Sequence, residues 1–236
     1  MSNTFQGRRV LIVGAAGGIG RATVAAFAAA GASVTAAART LESVKGVVAA
    51  PGIIGAALDI LDNDAIEAFF VVNEPFDHVV IAAASTIAGS VASLSLDDAK
   101  ASMESKFWGA YRVARAVQVT EGGSITFVSG ALSKRPSATS VLQGAINAGL
   151  EGLARGLALE RAPVRVNAVS PGIIDTPLHD RMPKTSRTAM YDRMRTGLPA
   201  RRLGDAGDVA QAIVFAASNP FVTGSTISVD GGASIM

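Results

Sequence analysis

The sequence contains no cysteine, so disulfide bonds and thiolate chemistry are excluded, although this absence leaves the cellular compartment open. Charged residues make up only 17% of the chain and the formal net charge is +2, which is too small and dispersed to predict a nucleic-acid partner. The adjacent basic pairs Arg8-Arg9 and Arg201-Arg202 lack interleaved aromatic residues and indicate solvated surface. No apolar run reaches the length of about 18 residues that a membrane span needs, and residues 1–7 are polar. We therefore expect no membrane association and a cytoplasmic protein.

The chain has enough apolar residues to form one large core. Hydrophobic residues make up 49% of the sequence, which suits a parallel sheet buried on both faces and leaves apolar surface for self-association. Nothing resembling a linker divides the 236 residues. We therefore predict a single domain, residues 1–236.

Short β-rich runs alternate along the chain with helical patterns. The runs predict strands at residues 10–13, 33–37, 55–58, 78–83, 124–129, 164–169 and 226–229. The helical patterns lie at about 19–30, 41–48, 63–72, 96–119, 140–161 and 205–218. Such alternation predicts an α/β fold, a doubly wound parallel sheet of about seven strands with helices on both faces. Ligands of these sheets bind beyond the carboxyl ends of the strands, at the switch point beside the first strand.

The first predicted strand runs directly into a glycine-rich turn and then into helix-forming sequence. Gly14, Gly18 and Gly20 have the spacing Gly-x3-Gly-x-Gly, which lets the backbone turn tightly and approach a diphosphate. The helix that follows presents unpaired N–H groups and the positive end of its dipole to such an anion. The pattern favours a dinucleotide site, and a turn that serves packing alone is the alternative.

The end of the second predicted strand indicates which dinucleotide is bound. The strand ends in Ala38-Arg39-Thr40, with no Asp or Glu. A carboxylate there would accept hydrogen bonds from the adenosine ribose hydroxyls and favour NAD, whereas an arginine can bind a 2′-phosphate. We therefore predict a preference for NADP(H), with NAD(H) as the second option. The alternative is that Arg39 is an ordinary exposed arginine.

Several motifs in order along essentially the whole chain resemble the short-chain dehydrogenase/reductase family. They are Gly14-Ala15-Ala16-Gly17-Gly18-Ile19-Gly20, Leu58-Asp59-Ile60, Arg165-Val166-Asn167-Ala168-Val169-Ser170-Pro171-Gly172, Asp175-Thr176-Pro177, Gly204, Asp208-Val209-Ala210 and Val229-Asp230-Gly231-Gly232. The resemblance implies a Rossmann-like domain that binds a nicotinamide cofactor, with Asp59 at the position that contacts the adenine ring. Together with Arg39 and Thr40, it predicts cofactor contacts at Gly14, Ala16, Gly17, Gly18, Ile19, Gly20, Asp59, Ile60, Ala82, Ala83, Ala84, Pro171, Gly172, Ile174 and Thr176.

The resemblance fails at the catalytic positions. The family uses a tyrosine as acid or base, a lysine four residues later, a serine after the fifth strand and an asparagine on the preceding helix. The corresponding positions here hold Gln143, Asn147, Gly130 and Lys106, with Ser129 just before the serine position. Ala82-Ala83-Ala84 likewise replaces the family's Asn-Ala-Gly after the fourth strand. An amide neither gains nor loses a proton in the accessible pH range, so Gln143 can only form hydrogen bonds.

A positioned acid or base contributes roughly 100- to 10,000-fold to rate, so another group is expected to replace the tyrosine. Near the predicted site are Ser129, Ser133, Lys134 and His179. His179 titrates near neutrality and lies on the segment that covers the substrate in relatives; an exposed loop histidine beside a carboxylate is the alternative. His78 is predicted at the wrong end of the sheet.

Two tyrosines lie outside the catalytic spacing. We interpret Tyr111 as helix packing, whereas Tyr191 could enter the pocket from a mobile loop. Lys106 stands at the family's asparagine position on one helix, and Asn147 stands at its lysine position on the next. We therefore predict that Lys106 partly replaces the missing lysine. The alternative is that Lys106 points to solvent or to a subunit interface. The catalytic candidates are Lys106, Ser129, Gln143, Asn147 and His179.

The expected function is that of an NADP(H)-dependent oxidoreductase acting by hydride transfer on a small carbonyl, alcohol, imine or activated alkene. A non-redox enzyme on the same scaffold and a weakly active protein that senses NADP(H) are the alternatives. A substrate-covering loop at about 177–198 is predicted to set specificity. The expected partners are the small-molecule substrate and further copies of the chain, as a homodimer or homotetramer, because the resemblance implies contacts through helices 96–119 and 140–161. No metal site is expected.

Overall fold

A computed structural model describes residues 4–48 and 51–236, so residues 1–3 of the polar amino-terminal segment lie outside the described residues. Seven strands form one sheet in the order β3-β2-β1-β4-β5-β6-β9, and two short strands, β7 and β8, pair separately. The strands are β1 (Arg9–Val13), β2 (Ser33–Ala38), β3 (Ile53–Ala57), β4 (Phe76–Ile81), β5 (Val119–Val128), β6 (Arg165–Pro171), β7 (Ile174–Asp175), β8 (Gly204–Asp205) and β9 (Thr226–Val229). All pairings are parallel, and the strand order reverses between β1 and β4.

Helices cover both faces of the sheet. They are α1 (Gly18–Ala29), α2 (Asn63–Val72), α3 (Leu96–Met103), α4 (Gly109–Ala116), α5 (Val141–Glu160), α6 (Lys184–Gly197) and α7 (Ala206–Ser218). One apolar cluster packs α2, α4 and α5 on the sheet, and a second packs α1 and α7 on the other side. Four successive β1 residues, 10–13, are buried because both faces of the strand are covered. The predicted doubly wound α/β fold with about seven strands is therefore confirmed.

The predicted helix at 96–119 is wrong in its extent and its continuity. α3 ends at Met103, a π-helical turn spans Glu104–Trp108, and α4 ends at Ala116. The Arg161 guanidinium donates hydrogen bonds to the carbonyl oxygens of Ala114, Arg115 and Val117, which satisfies the last carbonyls of α4. The β-branched residues that follow then begin β5 at Val119.

Two other segments also differ from prediction. The helix expected at 41–48 is a 3₁₀ helix over Leu41–Val44 followed by turns, because Gly46 interrupts it with a poor helix former. The predicted loop at 177–198 contains a 3₁₀ helix, Pro177–Arg181, and all of α6. Lys, Arg, Met and Ala in this segment are good helix formers, which explains the order that turn signals alone did not predict. Of the helices in the described part of the chain, none combines the length and apolarity needed to cross a bilayer.

Candidate functional site

The turn after β1 has room only for glycine at two positions. Gly14 has φ +91°, and a Cβ atom there would lie 2.5 Å from the backbone nitrogen of Ala83. At Gly20 a Cβ atom would lie 2.1 Å from the carbonyl oxygen of Gly14. The turn is therefore packed backbone against backbone, and it holds the amino end of α1 at the carboxyl edge of the sheet.

The amino end of α1 can receive an anion. Gly17 is the N-cap residue and supplies no side-chain hydrogen bond, and the first turn of the helix contains no acidic residue. The first N–H groups of the helix and the positive end of its dipole are consequently available. Together with the close backbone packing, this cradle fits the diphosphate of a dinucleotide.

The segment after β6 meets this turn. A Cβ atom at Gly18 would lie 2.8 Å from Cβ of Thr176, and one at Gly172 would lie 2.8 Å from Cα of Asp230. Ala82, which follows β4, donates its backbone N–H to the carbonyl oxygen of Val13 over 2.8 Å. The structure thus brings the predicted residues of the glycine turn, the 82–84 segment and the 171–176 segment to one edge of the sheet.

The adenosine end of this edge carries Arg39 next to Asp59. Arg39 follows β2 directly, its side chain is 69% exposed, and its Nε lies 4.0 Å from Oδ2 of Asp59. An exposed pair at this distance contributes little, so the guanidinium can turn to a phosphate at small cost. Thr40 begins the 3₁₀ helix as its N-cap, accepting a hydrogen bond from the Ser43 N–H, and Ile60 is buried beneath Gly109. An exposed guanidinium at this place can bind a phosphate group.

Lys106 and Asn147 meet beyond the end of β5. Lys106 lies in the π-helical turn, and its Nζ donates hydrogen bonds to Oδ1 of Asn147 over 2.7 Å and to the carbonyl oxygen of Ser129 over 2.9 Å. Burial lowers the pKa of Lys106 to about 8, against the opposing charge of Glu151. A Cβ atom at Gly130 would lie 2.7 Å from Nδ2 of Asn147, so a larger residue at position 130 would displace this amide.

Glu151 is the residue that the sequence reasoning missed. Its carboxylate accepts hydrogen bonds from Oγ of Ser129 over 3.0 Å and from Oγ of Ser133 over 2.6 Å. The signal was available, because Gln143, Asn147 and Glu151 are spaced four residues apart and therefore share one face of α5. A polar stripe on a largely apolar helix requires buried partners.

Gln143 places a buried amide on the face of α5 that also carries Asn147. Its Nε2 donates a hydrogen bond to the carbonyl oxygen of Ile87, while its Oε1 is buried without a hydrogen-bond partner among the described residues. An unpaired buried acceptor costs free energy, because it has lost its hydrogen bonds to water. The arrangement can orient a substrate, and it cannot supply a proton from this position.

His179 is tied to Tyr191 rather than exposed. Nδ1 of His179 and the Tyr191 hydroxyl form a hydrogen bond of 3.0 Å, and burial lowers the pKa of His179 below its usual value. Tyr191 is buried on α6, not on a mobile loop, and its pKa is raised by burial and by Asp175. His179 therefore lies within the covering segment, held by that segment's own helix.

The remaining candidates lie elsewhere. His78 lies in the amino-terminal half of β4, beside Val10 of β1 and Ser124 of β5, and therefore away from the carboxyl edge of the sheet. Lys134 donates a hydrogen bond to Oγ of Ser228 over 2.8 Å and faces Asp230. Tyr111 is 40% exposed and packs edge-to-face on Trp108 of the same helical segment, which is also exposed, so it does not pack in the core.

Residues 14–234 match the protein family described as enoyl-(acyl carrier protein) reductase. The chain is similar to D-erythrulose reductase of Gallus gallus, with 32% identity over 242 residues that cover 97% of this chain and 96% of the relative. It is also 32% identical over 245 residues to 3-oxoacyl-(acyl-carrier-protein) reductase of Thermotoga maritima, covering 97% of this chain and 98% of that protein.

Solved structures of dehydrogenases are also similar to this chain over nearly its whole length. A small-chain dehydrogenase in complex with NADPH superimposes with a TM-score of 0.84 at 33% identity, covering 97% of this chain and 99% of the other. A glucose/ribitol dehydrogenase of the short-chain dehydrogenase/reductase type from Brucella melitensis superimposes with a TM-score of 0.90 at 30% identity, covering 98% of each chain.

Proposed function

This chain belongs to the short-chain dehydrogenase/reductase family, and on that premise we propose that it is an NADP(H)-dependent oxidoreductase acting by hydride transfer on a small molecule. The observation that carries the proposal is the pairing of an open anion cradle at α1 with Arg39 directly after β2, a strand end that itself carries no Asp or Glu. The relative solved with NADPH supports the same choice of cofactor.

Residues at this edge would hold each part of the cofactor. Gly14 to Gly20 would receive the diphosphate, Arg39 and Thr40 the 2′-phosphate, and Asp59 and Ile60 the adenine. Residues 82–84, together with Pro171, Gly172, Ile174 and Thr176, would line the nicotinamide end. When bound, the nicotinamide would supply or accept the hydride.

Residues of the chain would stabilise the negative charge that hydride transfer creates on the substrate. A carbonyl carbon that gains a hydride leaves negative charge on its oxygen, and that oxygen needs a cation or a proton. Lys106 is the nearest candidate, because its ammonium lies where the family's asparagine stands and its pKa of about 8 lies close to neutral pH. Gln143 and Ser129 would orient the substrate by hydrogen bonds.

The same arrangement favours substrates that need little acid assistance. An iminium carbon takes up hydride to give a neutral amine without a further proton, and an activated alkene spreads the charge onto its acceptor group. Imines and enones are therefore proposed beside carbonyls and alcohols. The covering segment that contains Tyr191 and His179 would set the choice among them.

A weakly active NADP(H)-binding protein is the second candidate. The observation that favours it is Gln143, whose amide has no titrating proton and whose Nε2 is already engaged by Ile87. We further propose a cytoplasmic homodimer or homotetramer for either function.

Calorimetry with NADPH and NADH tests the cofactor, and the absorbance of NADPH tests turnover with carbonyl, imine and enone substrates. We expect saturable binding that is tighter for NADPH, and oxidation of NADPH by at least one substrate class. Equal affinity for the two cofactors would refute the NADP(H) assignment. Tight NADPH binding without oxidation by any class would favour the second candidate.

A further inference from the structure

Glu151 is a buried carboxylate that the functional assignment above leaves without a role. It is 6% exposed and lies one helical turn beyond Asn147. Its Oε1 accepts hydrogen bonds from two serine hydroxyls, Ser129 and Ser133, which come from the end of β5 and from the 3₁₀ turn after it. A carboxylate removed from water persists only where hydrogen bonds and an opposite charge compensate its lost hydration.

Ser129 links this carboxylate to Lys106. The carbonyl oxygen of Ser129 accepts a hydrogen bond from Nζ of Lys106, while the hydroxyl of the same residue donates to Glu151. Ser129 is therefore hydrogen-bonded on one side to the Lys106 ammonium and on the other to the Glu151 carboxylate. Asn147 closes the arrangement, because its Oδ1 accepts the other hydrogen bond of the Lys106 ammonium.

We propose that Glu151 is the positioning residue of this site: it fixes the hydroxyls of Ser129 and Ser133 and supplies the negative charge that keeps the Lys106 ammonium protonated beside them. The proposal deepens the proposed function, since it assigns the source of the charge on the group expected to act on the substrate. In this role Glu151 acts on the reaction only through Lys106 and Ser129.

The charges around Lys106 support this role. Burial lowers its pKa, and the nearby Glu151 carboxylate acts in the opposite direction. Asn147 and the Ser129 carbonyl, the other groups in contact with Nζ, are neutral. The nearest lysine in sequence on the β5 side, Lys134, faces Ser228 and Asp230 instead. Without Glu151, burial would act unopposed and the ammonium would lose its proton nearer to neutral pH.

A titration of Lys106 in the protein alone tests the proposal. The ε-carbon of each lysine is labelled with ¹³C, the Lys106 signal is assigned by its absence from Lys106→Met, and its shift is followed against pH. In Glu151→Gln, which keeps the shape and removes the charge, we expect the midpoint of Lys106 to fall by at least about half a pH unit. Glu160→Gln, an exposed glutamate at the end of the same helix, should leave the midpoint unchanged.

Glu151→Asp is the second variant and keeps the test decisive if Glu151→Gln does not fold. It retains the charge but withdraws it by one methylene group from the two serines, so a smaller fall in the midpoint is expected. A midpoint equal to that of the wild type in a folded Glu151→Gln protein, or in Glu151→Asp where only that variant folds, would overturn the proposal. Because no cofactor or substrate is present, this outcome is independent of whether NADPH is oxidised. If turnover is found, the alkaline limb of its pH profile should move with the same midpoint.

Discussion

Nζ of Lys106 donates a hydrogen bond of 2.7 Å to Oδ1 of Asn147, so the two residues that exchange the family's residue types are in direct contact. The contact joins the π-helical turn to α5 across 41 positions of sequence. Lys106 therefore does not point to solvent, and that part of the alternative interpretation is wrong. Lys106 therefore places a cation next to Asn147, the residue predicted to replace the family's lysine.

Replacement of Lys106 by methionine should lower turnover by at least about tenfold, which corresponds to roughly 1.4 kcal/mol of lost transition-state stabilisation. The reason is that no other cation lies in contact with Ser129 and Asn147 among the described residues. Steady-state kinetics with the best substrate of the panel measures it, and Lys100→Met, an exposed lysine on α3, is the matched control.

Unchanged turnover and unchanged NADPH affinity in Lys106→Met would contradict this role. His179→Gln would then be the next variant, because His179 is the titratable group that the covering segment holds near Thr176, at the cofactor edge.

Arg39→Ala should weaken NADPH binding by at least about tenfold, since a hydrogen bond to a charged group contributes roughly 1.5–3 kcal/mol. Affinity for NADH should stay the same, because NADH lacks the 2′-phosphate. Calorimetry of both cofactors measures the difference, and the exposed Arg155→Ala on α5 controls for the loss of one positive charge. Equal losses of affinity for NADPH and NADH would show that Arg39 does not bind the 2′-phosphate.

We expect replacement of glycine by alanine to have opposite effects on stability at two helical positions. Gly20→Ala places a methyl group 2.1 Å from the Gly14 carbonyl oxygen, so it should destabilise the fold by about 1–3 kcal/mol and abolish NADPH binding. Gly156→Ala, where nothing lies within 4 Å, should stabilise it by about 0.5–1 kcal/mol. Denaturant unfolding compares them. A neutral Gly20→Ala variant would argue against the tight turn.

Stability should fall as the pH is lowered from about 6.5 to about 4 because of His78. Burial lowers the pKa of His78 from 6.5 to about 4, so over this interval the unfolded chain binds a proton that the folded chain resists. The free energy of unfolding therefore falls as the pH falls, by about 3 kcal/mol between pH 6.5 and pH 4. His78→Gln should flatten this part of the pH–stability curve, measured by urea unfolding.

The other histidine of the chain supplies the control. His179→Gln should leave most of the slope in place, because His179 is only partly buried and hydrogen-bonded to Tyr191. A slope between pH 6.5 and 4 that survives in His78→Gln and disappears in His179→Gln would reverse the assignment.

The chain should assemble into a homodimer or homotetramer at micromolar concentration. Trp108 and Tyr111, on the outer face of the 104–116 helical segment, are 43% and 40% exposed and stack edge-to-face. Aromatic groups of this size favour association. Light scattering of the wild type measures the mass, and Tyr111→Glu should reduce it because a charge would be buried. A wild-type mass equal to one chain would contradict the prediction.

The amino-acid sequence alone determined the seven strands of the main sheet and most of the helices, because these elements depend on local periodicity and on turn residues. α2 at Asn63–Val72 and β9 at Thr226–Val229 have the predicted bounds. The glycine turn was equally predictable, since only glycine tolerates the backbone contacts at Gly14 and Gly20. Family motifs then placed the cofactor residues at strand ends, which parallel pairing gathers at one edge of the sheet.

Only the tertiary structure decided which side chains meet. The end of α4 depends on Arg161, which is distant in sequence. Glu151 was missed because its partners, Ser129 and Ser133, belong to a different element. Such contacts depend on the register of α5 against β5 and the π-helical turn. No local pattern encodes that register, because it is set by the packing of the whole core.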